Sequence, residues 1–419
     1  MKKSLGVYVH IPFCVRKCNY CDFLSSNYCN KDEDQNKLVR DYVKALRKEI
    51  EIYSENLQDY EVQTIYIGGG TPSSIDSYCI GDILDTIYDR FYVCDNPEIT
   101  IEVNPGTLLN DKVEDYKKMG INRVSMGLQS ANNEELKALG RIHTYEEFLE
   151  SYRLLRSAGF NNINIDVMSA IPNQSVESYI DTLNKVISLH PEHISSYSLI
   201  IEEETYFYEK QDELKLVSED DEREMYYKTK EILQNNGYER YEISNYSLKG
   251  MESRHNSSYW IGTEYIGFGL GASSYLKDYR YDRIRNIDKY IEVYNNINVN
   301  LAKEKINDKK DSSECNDNTD RYIDNNVLRD YVRRNIECKK EKLSIQNKIE
   351  EYMFLGLRMT KGISISKFKE VFDKDIHDVY GAIIDKYVSM KLITEENDYL
   401  RLTEKGIDVS NTILSDFLL

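Results

Sequence analysis

Short apolar runs broken by turns recur through the first half of the chain. Those at 6–10, 64–68, 98–103, 123–127, 162–168 and 193–199 are rich in Val, Ile or Tyr. Each stops at Gly, Pro or a polar turn, which predicts six strands. Between and after them, apolar positions at helical spacing predict helices over 35–56, 75–90, 111–119, 133–139, 144–158, 176–189 and 220–236. Thr144 and Glu147 have the spacing of a reciprocal N-terminal cap, a sharp start signal for the fifth helix.

Strand–helix alternation of this length implies parallel βα units. Six units within 235 residues suggest an incomplete barrel rather than a closed eight-fold one, with an open doubly wound sheet as the rival arrangement. The pattern divides the chain into a partial barrel at 1–235, a connecting region at 236–300 and a segment at 301–342 dense in both signs of charge. The last holds few large apolar residues, too few to offset its ordering entropy, and is expected to be a flexible insertion. From 343 to 419 the pattern resumes. Helices at 345–359, 363–372 and 379–390, a hairpin at 392–394 and 399–403, and a last helix from Glu404 predict a smaller, mostly helical, winged-helix-like domain.

Composition narrows the function classes. The chain has 419 residues, 30% of them charged, and a net charge of −18. Such acidity disfavours sequence-independent nucleic-acid binding and docking on anionic lipid, and no nucleic-acid partner is expected. No apolar run reaches the about 18 residues of a membrane span, and the N-terminus enters a strand pattern directly, so a cytoplasmic protein is expected. Of the eight cysteines, Cys14, Cys18, Cys21 and Cys29 crowd the N-terminus. In a reducing compartment, clustered cysteines mean metal or redox chemistry more often than disulfides. Cys79, Cys94, Cys315 and Cys338 read as incidental thiols, and His143, His190, His193 and His377 show no metal spacing.

Cys14-Val-Arg-Lys-Cys18-Asn-Tyr-Cys21 is a C-x₃-C-x₂-C loop directly after the first predicted strand. Structural zinc normally takes four closed ligands, whereas the compact set here is three. Three thiolates on a cubane iron–sulfur cluster leave one iron open for a ligand. A zinc-stabilised scaffold remains the alternative.

This loop, at the head of a six-unit βα chain, resembles that of the radical S-adenosylmethionine (SAM) superfamily. There the open iron of a 4Fe-4S cluster chelates SAM, whose reductive cleavage yields a 5′-deoxyadenosyl radical. The words Tyr8-Val9-His10-Ile11-Pro12-Phe13-Cys14 resemble the HemN/HemW group, which comprises oxygen-independent coproporphyrinogen III oxidases and related heme chaperones. The likeness runs from the first strand to about residue 290 and again over 343–406. It implies an incomplete (β/α)6 radical-SAM barrel, with Cys14, Cys18 and Cys21 as cluster ligands. It also implies SAM contacts at Tyr8, at Gly69, Gly70 and Thr71 of the Gly-rich turn, and at Glu102, Gln129, Arg141 and Asp166, with Tyr20 as a weaker addition. Strand ends are where a barrel holds its ligands, which fits Glu102 and Gln129. One position departs from the group's pattern: Ala170 stands where Gly is usual, and a Cβ there disfavours a positive φ.

Three features resemble the chaperone branch more than the oxidase branch. Only 13 residues precede Cys14, Phe23 replaces an extra cysteine of the oxidases, and His255-Asn256-Ser257-Ser258-Tyr259-Trp260 matches an H-N-x-x-Y-W motif implicated in heme binding. An imidazole is a good axial ligand for heme iron, so His255 is the expected heme ligand. The resemblance then implies 4Fe-4S, SAM and heme as cofactors. It implies acceptor heme proteins as partners, with a membrane-bound respiratory acceptor and a homodimer as finer expectations. No residue is assigned a catalytic role. The alternative is coproporphyrinogen III oxidation by radical decarboxylation of propionates.

Overall fold

The computed structural model describes residues 2–29, 31–108, 110–295, 297 and 325–419. Six parallel strands form its centre: β1 (Lys3–Ile11), β2 (Tyr60–Gly69), β3 (Val93–Val103), β4 (Arg123–Gln129), β5 (Ile163–Ser169) and β6 (His193–Ser198). They pair in chain order, β1 to β6. Helices over Glu33–Ser54, Ser77–Arg90, Asn110–Lys118, Tyr145–Ser157 and Val176–Ile187 connect them. The reciprocal cap at Thr144 and Glu147 is formed. The strands are buried on both faces because helices cover the outside, and Val7, Ile65, Ile101, Val124, Ile165 and Ile194 lie in one continuous core.

The sheet does not close, and it extends further than the sequence pattern predicts. Two short strands extend the sheet beyond β6: β8 (Asn245–Ser247) pairs with it antiparallel, and β7 (Glu239–Arg240) lies outermost against β8. On the other edge, β9 (Tyr265–Phe268) runs parallel to β1, and β10 (Ser273–Leu276), β11 (Tyr279–Arg283) and β12 (Glu337–Lys342) follow antiparallel, giving twelve strands. Much of 236–300 therefore belongs to the sheet.

The expectation of flexibility over 301–342 is corrected for its last part. Asn325–Ile336 is a helix, and the Cys338-containing segment Glu337–Lys342 is the edge strand β12. Its charged residues suit an exposed sheet edge, where they discourage pairing with other chains. Residues 301–324, with Cys315, lie outside the described residues. A buried ion pair, Glu49–Arg283, ties the first helix to this extension. Glu49 also accepts from the Gly269 amide (2.8 Å) and the Tyr290 hydroxyl.

The C-terminal domain has its own core around Met353, Phe368, Ile384 and Leu400. Helices Ile345–Gly356, Ile365–Phe372 and Ile376–Ser389 pack with a three-stranded wing in which Tyr399–Leu402 lies between Ile363–Ser364 and Ile393–Glu396. Polar clamps hold it to the barrel: the Thr360 amide donates to the Tyr241 carbonyl (3.0 Å), Arg280 pairs with Glu351 (2.8 Å) and Lys348 with Asp278 (2.9 Å).

Candidate functional site

The C-terminal ends of β1 to β5 and the cysteine loop converge. Phe13–Cys14 pairs with Ser26–Asn27, which folds the loop back over the Gly-rich turn after β2. That turn must approach closely. The Gly70 amide donates to the Ile11 carbonyl at 2.9 Å, and a Cβ on Gly70 would lie 2.8 Å from the Phe13 carbonyl oxygen. Gly69 has a φ of +110°, which a side chain rarely adopts.

A chain of polar contacts links the cysteine loop to the strand ends. The Cys14 sulfur is 3.4 Å from the Thr71 hydroxyl, and Asn104 Nδ2 donates to Thr71 Oγ1 at 2.7 Å. Arg141 Nη2 donates to Asn104 Oδ1 (2.9 Å) and the Gly127 carbonyl (2.6 Å), while Nη1 lies 3.6 Å from the Cys18 sulfur. Arg141 Nε is buried with no partner. Burial pushes the Cys21 thiol up to about 11 and raises that of Cys14. Among the described residues no three His, Cys, Asp or Glu side chains converge on a single ion. Three thiols on one loop beside a guanidinium fit a cluster whose irons take one thiolate each.

Two half-buried carboxylates, Glu102 on β3 and Asp166 on β5, lie at the same strand ends. Glu102 ends β3 and accepts from the Tyr66 hydroxyl (2.7 Å) and the Gly69 amide (3.0 Å). Burial, aided by the nearby Asp166 charge, pushes its carboxyl up to about 7. Asp166 on β5 accepts from Asn164 Nδ2 at 2.7 Å and is also raised by burial. Gln129 has a positive φ of 73°, and its side-chain carbonyl accepts from the Tyr197 hydroxyl at 2.8 Å. Partly buried acceptors at a strand-end mouth suit a ligand with hydroxyl and ammonium groups. Ala170 has a φ of +59°, so this chain carries a side chain in a conformation that favours glycine.

Tyr8, Gly69, Gly70, Thr71, Glu102, Gln129, Arg141 and Asp166 thus share one end of the sheet with the cysteine loop. Tyr20, within the cysteine loop, packs on the small apolar cluster of Leu139, Met168, Ile171 and Phe207 and lies within electrostatic reach of Arg141, Cys18 and Asp166. Three residues of the site escaped the sequence reading. Asn104 bridges Thr71 and Arg141, Tyr66 holds Glu102, and Tyr197 holds Gln129. Asn104 had a signal, its place at a strand end before Pro105. Tyr66 and Tyr197 read as ordinary strand aromatics.

His255 lies elsewhere. It is in the helix Arg254–Trp260, whose first amides donate to the Glu98 carboxylate. The residue is only 1% exposed. Nδ1 is 2.8 Å from the Thr64 hydroxyl and Nε2 is 2.8 Å from the Tyr259 hydroxyl. Its face stacks on Tyr66, centroids 5.1 Å apart. Burial, with Arg123 adding to it, pulls the imidazole down to about 3, so it is neutral.

One turn further on, Tyr259 and Trp260 face a cavity of about 950 Å³ between the sheet and the C-terminal domain. Tyr8, Tyr265 and Tyr275 line its barrel side, and Tyr352, Leu355 and Met359 its outer wall. Charges of both signs line it: Arg280 and Lys348 are paired there with Glu351 and Asp278, Lys367 is paired with Glu370, and Lys361 lies over the Tyr399 ring. Its volume falls at the upper end of what small-molecule and cofactor sites occupy, about 300–1,000 Å³.

Comparison with known proteins agrees with this geometry. The profile of the Radical SAM superfamily matches residues 8–186, and that of the HemN C-terminal domain matches 343–409. The chain is 33% identical to the heme chaperone HemW of Lactococcus lactis subsp. lactis, over 100% of this chain and 98% of that protein. It is 31% identical to the heme chaperone HemW of Bacillus subtilis, over 99% of each. Among solved structures, coproporphyrinogen III oxidase (HemN) from Escherichia coli superposes with a TM-score of 0.79 over 100% of this chain and 90% of that one. At 20% identity that likeness shows the fold alone. Relatives matched end to end at these identities establish that the chain belongs to the HemW family of the radical SAM superfamily.

Proposed function

We propose that this chain is a heme chaperone, which binds heme in the cavity between sheet and C-terminal domain and passes it to an acceptor heme protein. The observation that carries the reading is the end-to-end likeness to heme chaperones, joined to a cavity of about 950 Å³ walled by the Tyr259-Trp260 pair of the H-N-x-x-Y-W motif. Aromatic rings on the barrel side offer flat apolar contact to a porphyrin. Lys361, which lies over the Tyr399 ring in the lining, is a cation suited to a propionate. Trp260 Nε1 is buried with no partner in the protein, a donor that a ligand can satisfy.

The superfamily implies a 4Fe-4S cluster and SAM. When bound, they supply one-electron chemistry to the site. On this reading Cys14, Cys18 and Cys21 hold the cluster, and Arg141 offsets thiolate charge at Cys18. Glu102, Gln129 and Asp166 accept hydrogen bonds from SAM, while Gly69 and Gly70 let the backbone come close. Residues 1–235 form the SAM unit, the described residues of 236–295 and 325–342 complete the sheet and one cavity wall, and 343–419 supply the other wall. No described helix is long and apolar enough to cross a membrane. A cytoplasmic location, a membrane-bound respiratory acceptor and a homodimer are the finer parts of the proposal.

The test is an anaerobic titration of cluster-reconstituted protein with hemin, followed by Soret absorbance, then mixing with an apo heme protein. Saturable one-to-one binding and transfer to the acceptor are expected. Unsaturable binding by a chain with an intact cluster, together with turnover of coproporphyrinogen under reduction, would overturn the proposal in favour of the oxidase.

A further inference from the structure

The geometry points to Tyr259, rather than His255, as the residue that ligates heme iron, with His255 as its positioning partner. The inference rests on the heme-binding reading above and deepens it. An axial ligand must present a free lone pair to the space the porphyrin fills. His255 does not: both ring nitrogens are engaged at 2.8 Å, by Thr64 and Tyr259, and Tyr66 covers one face. His10, an imidazole that does line the cavity, is also fully engaged. Its Nδ1 lies 3.0 Å from the Tyr8 hydroxyl, and its Nε2 donates to the Leu24 carbonyl at 2.8 Å.

Tyr259 differs in its place on the cavity wall, although burial raises its phenol and iron must displace that proton. It lines the cavity, one helical turn beyond His255, and its oxygen keeps lone pairs beyond the one hydrogen bond to the imidazole. Its ring is fixed edge-on between His255 and Tyr265, with centroids 5.0 and 4.6 Å away. The spacing of four residues on a helix is what brings the imidazole and phenol together. Phenolate is an established ligand of ferric heme.

The proton balance is simple. In the free protein the phenol donates to Nε2, and Nδ1–H donates to Thr64 Oγ1. When an iron–oxygen bond forms, one proton leaves to solvent. The imidazole then carries its proton on Nε2, donates to the phenolate, and accepts at Nδ1 from the Thr64 hydroxyl. It remains neutral throughout, as its burial beside Arg123 requires. No redox step is involved. The arrangement favours ferric over ferrous heme, because the anionic oxygen compensates the extra iron charge.

The experiment binds hemin to the full, cluster-reconstituted chain and records resonance Raman and electron paramagnetic resonance spectra. The wild type should give high-spin ferric heme with phenolate–iron modes. Tyr259→Phe should lose those modes and bind hemin at least ten-fold more weakly. Tyr259→His should restore binding with an imidazole signature, which also shows that the helix still folds. His255→Gln should keep the phenolate modes at shifted frequency. A Tyr259→Phe variant with the wild-type spectrum, or a wild-type spectrum of imidazole ligation lost in His255→Gln, would overturn this assignment while leaving heme binding intact. A wild type that takes up no hemin saturably would overturn the heme reading and this assignment together.

Discussion

Replacing Glu102 by glutamine should stabilise the chain while removing its affinity for SAM. The carboxyl is half-buried and held up at about 7, against an ordinary value of 4.5. Because the folded state binds the proton more tightly than the unfolded one, stability falls as pH rises from about 4.5 to about 7 and stays lost above that. At about 1.4 kcal/mol for each tenfold, the full loss is on the order of 3 kcal/mol by pH 8, and roughly 2 kcal/mol of it is already present at pH 5.8. Glutamine carries no such loss. It cannot accept from both the Tyr66 hydroxyl and the Gly69 amide as the carboxylate does, which costs about 1 kcal/mol. The variant should therefore be more stable by about 2 kcal/mol at pH 8, and the advantage should shrink by about 1.5 kcal/mol at pH 5.8. Urea unfolding of both proteins at these two values measures it, and stays clear of the pI near 5.0, where solubility is poorest. A variant less stable than the wild type at pH 8, or an advantage that does not shrink towards acid, would refute the claim that a partly buried charge is held ready for a ligand.

Ala170→Gly should raise stability by about 0.5–1 kcal/mol, because the φ of +59° strains alanine and not glycine; equal or lower urea midpoints would contradict this. Glu49→Ala leaves the buried Arg283 without its anion and should cost about 3–5 kcal/mol, seen as a large fall in the thermal midpoint or in folded yield. Serine at Cys14, Cys18 or Cys21 should each abolish reconstituted iron and sulfide, whereas serine at the exposed Cys29 should leave both unchanged; iron analysis and the iron–sulfur absorbance decide it.

The parallel half of the fold was legible because its signals are local. Val- and Ile-rich runs ending in turns mark β1 to β6, and the Thr144–Glu147 pair marks a helix start to the residue. The antiparallel extension was not. Tyr265–Phe268 is four residues long with a glycine inside, and Glu337–Lys342 reads Glu-Cys-Lys-Lys-Glu-Lys, a composition that a solvated linker shares with a protected edge strand. Within the site, the cysteine spacing and the strand-end polar residues stand out along the chain, and so did the resemblance that grouped them. Tyr66 and Tyr197 did not, because what distinguishes them is a partner on the neighbouring strand, Glu102 and Gln129. His255 shows the limit most plainly: the motif places an imidazole near heme, but only the fold reveals that both of its nitrogens are already bonded.

Failure of the barrel to close is what makes room for a second ligand. In a closed barrel the strand beside β1 would continue the parallel wall and its interior would fill with side chains. Here β9 continues the parallel wall by one short strand, and β10 to β12 then add to the sheet antiparallel. The helices Ile345–Gly356 and Ile365–Phe372 then stand across the gap as the outer wall of the cavity. Strand β1 serves both sides, since it pairs with β2, which carries the Gly-rich turn, and with β9 on the cavity edge. Tyr8 lies on that seam: its ring lines the cavity, stacks on Tyr66 at 6.2 Å and hydrogen-bonds His10. Tyr66 in turn joins the Glu102 carboxylate to the face of His255. Tyr66 therefore touches both the carboxylate of the strand-end site and the imidazole that holds the Tyr259 hydroxyl.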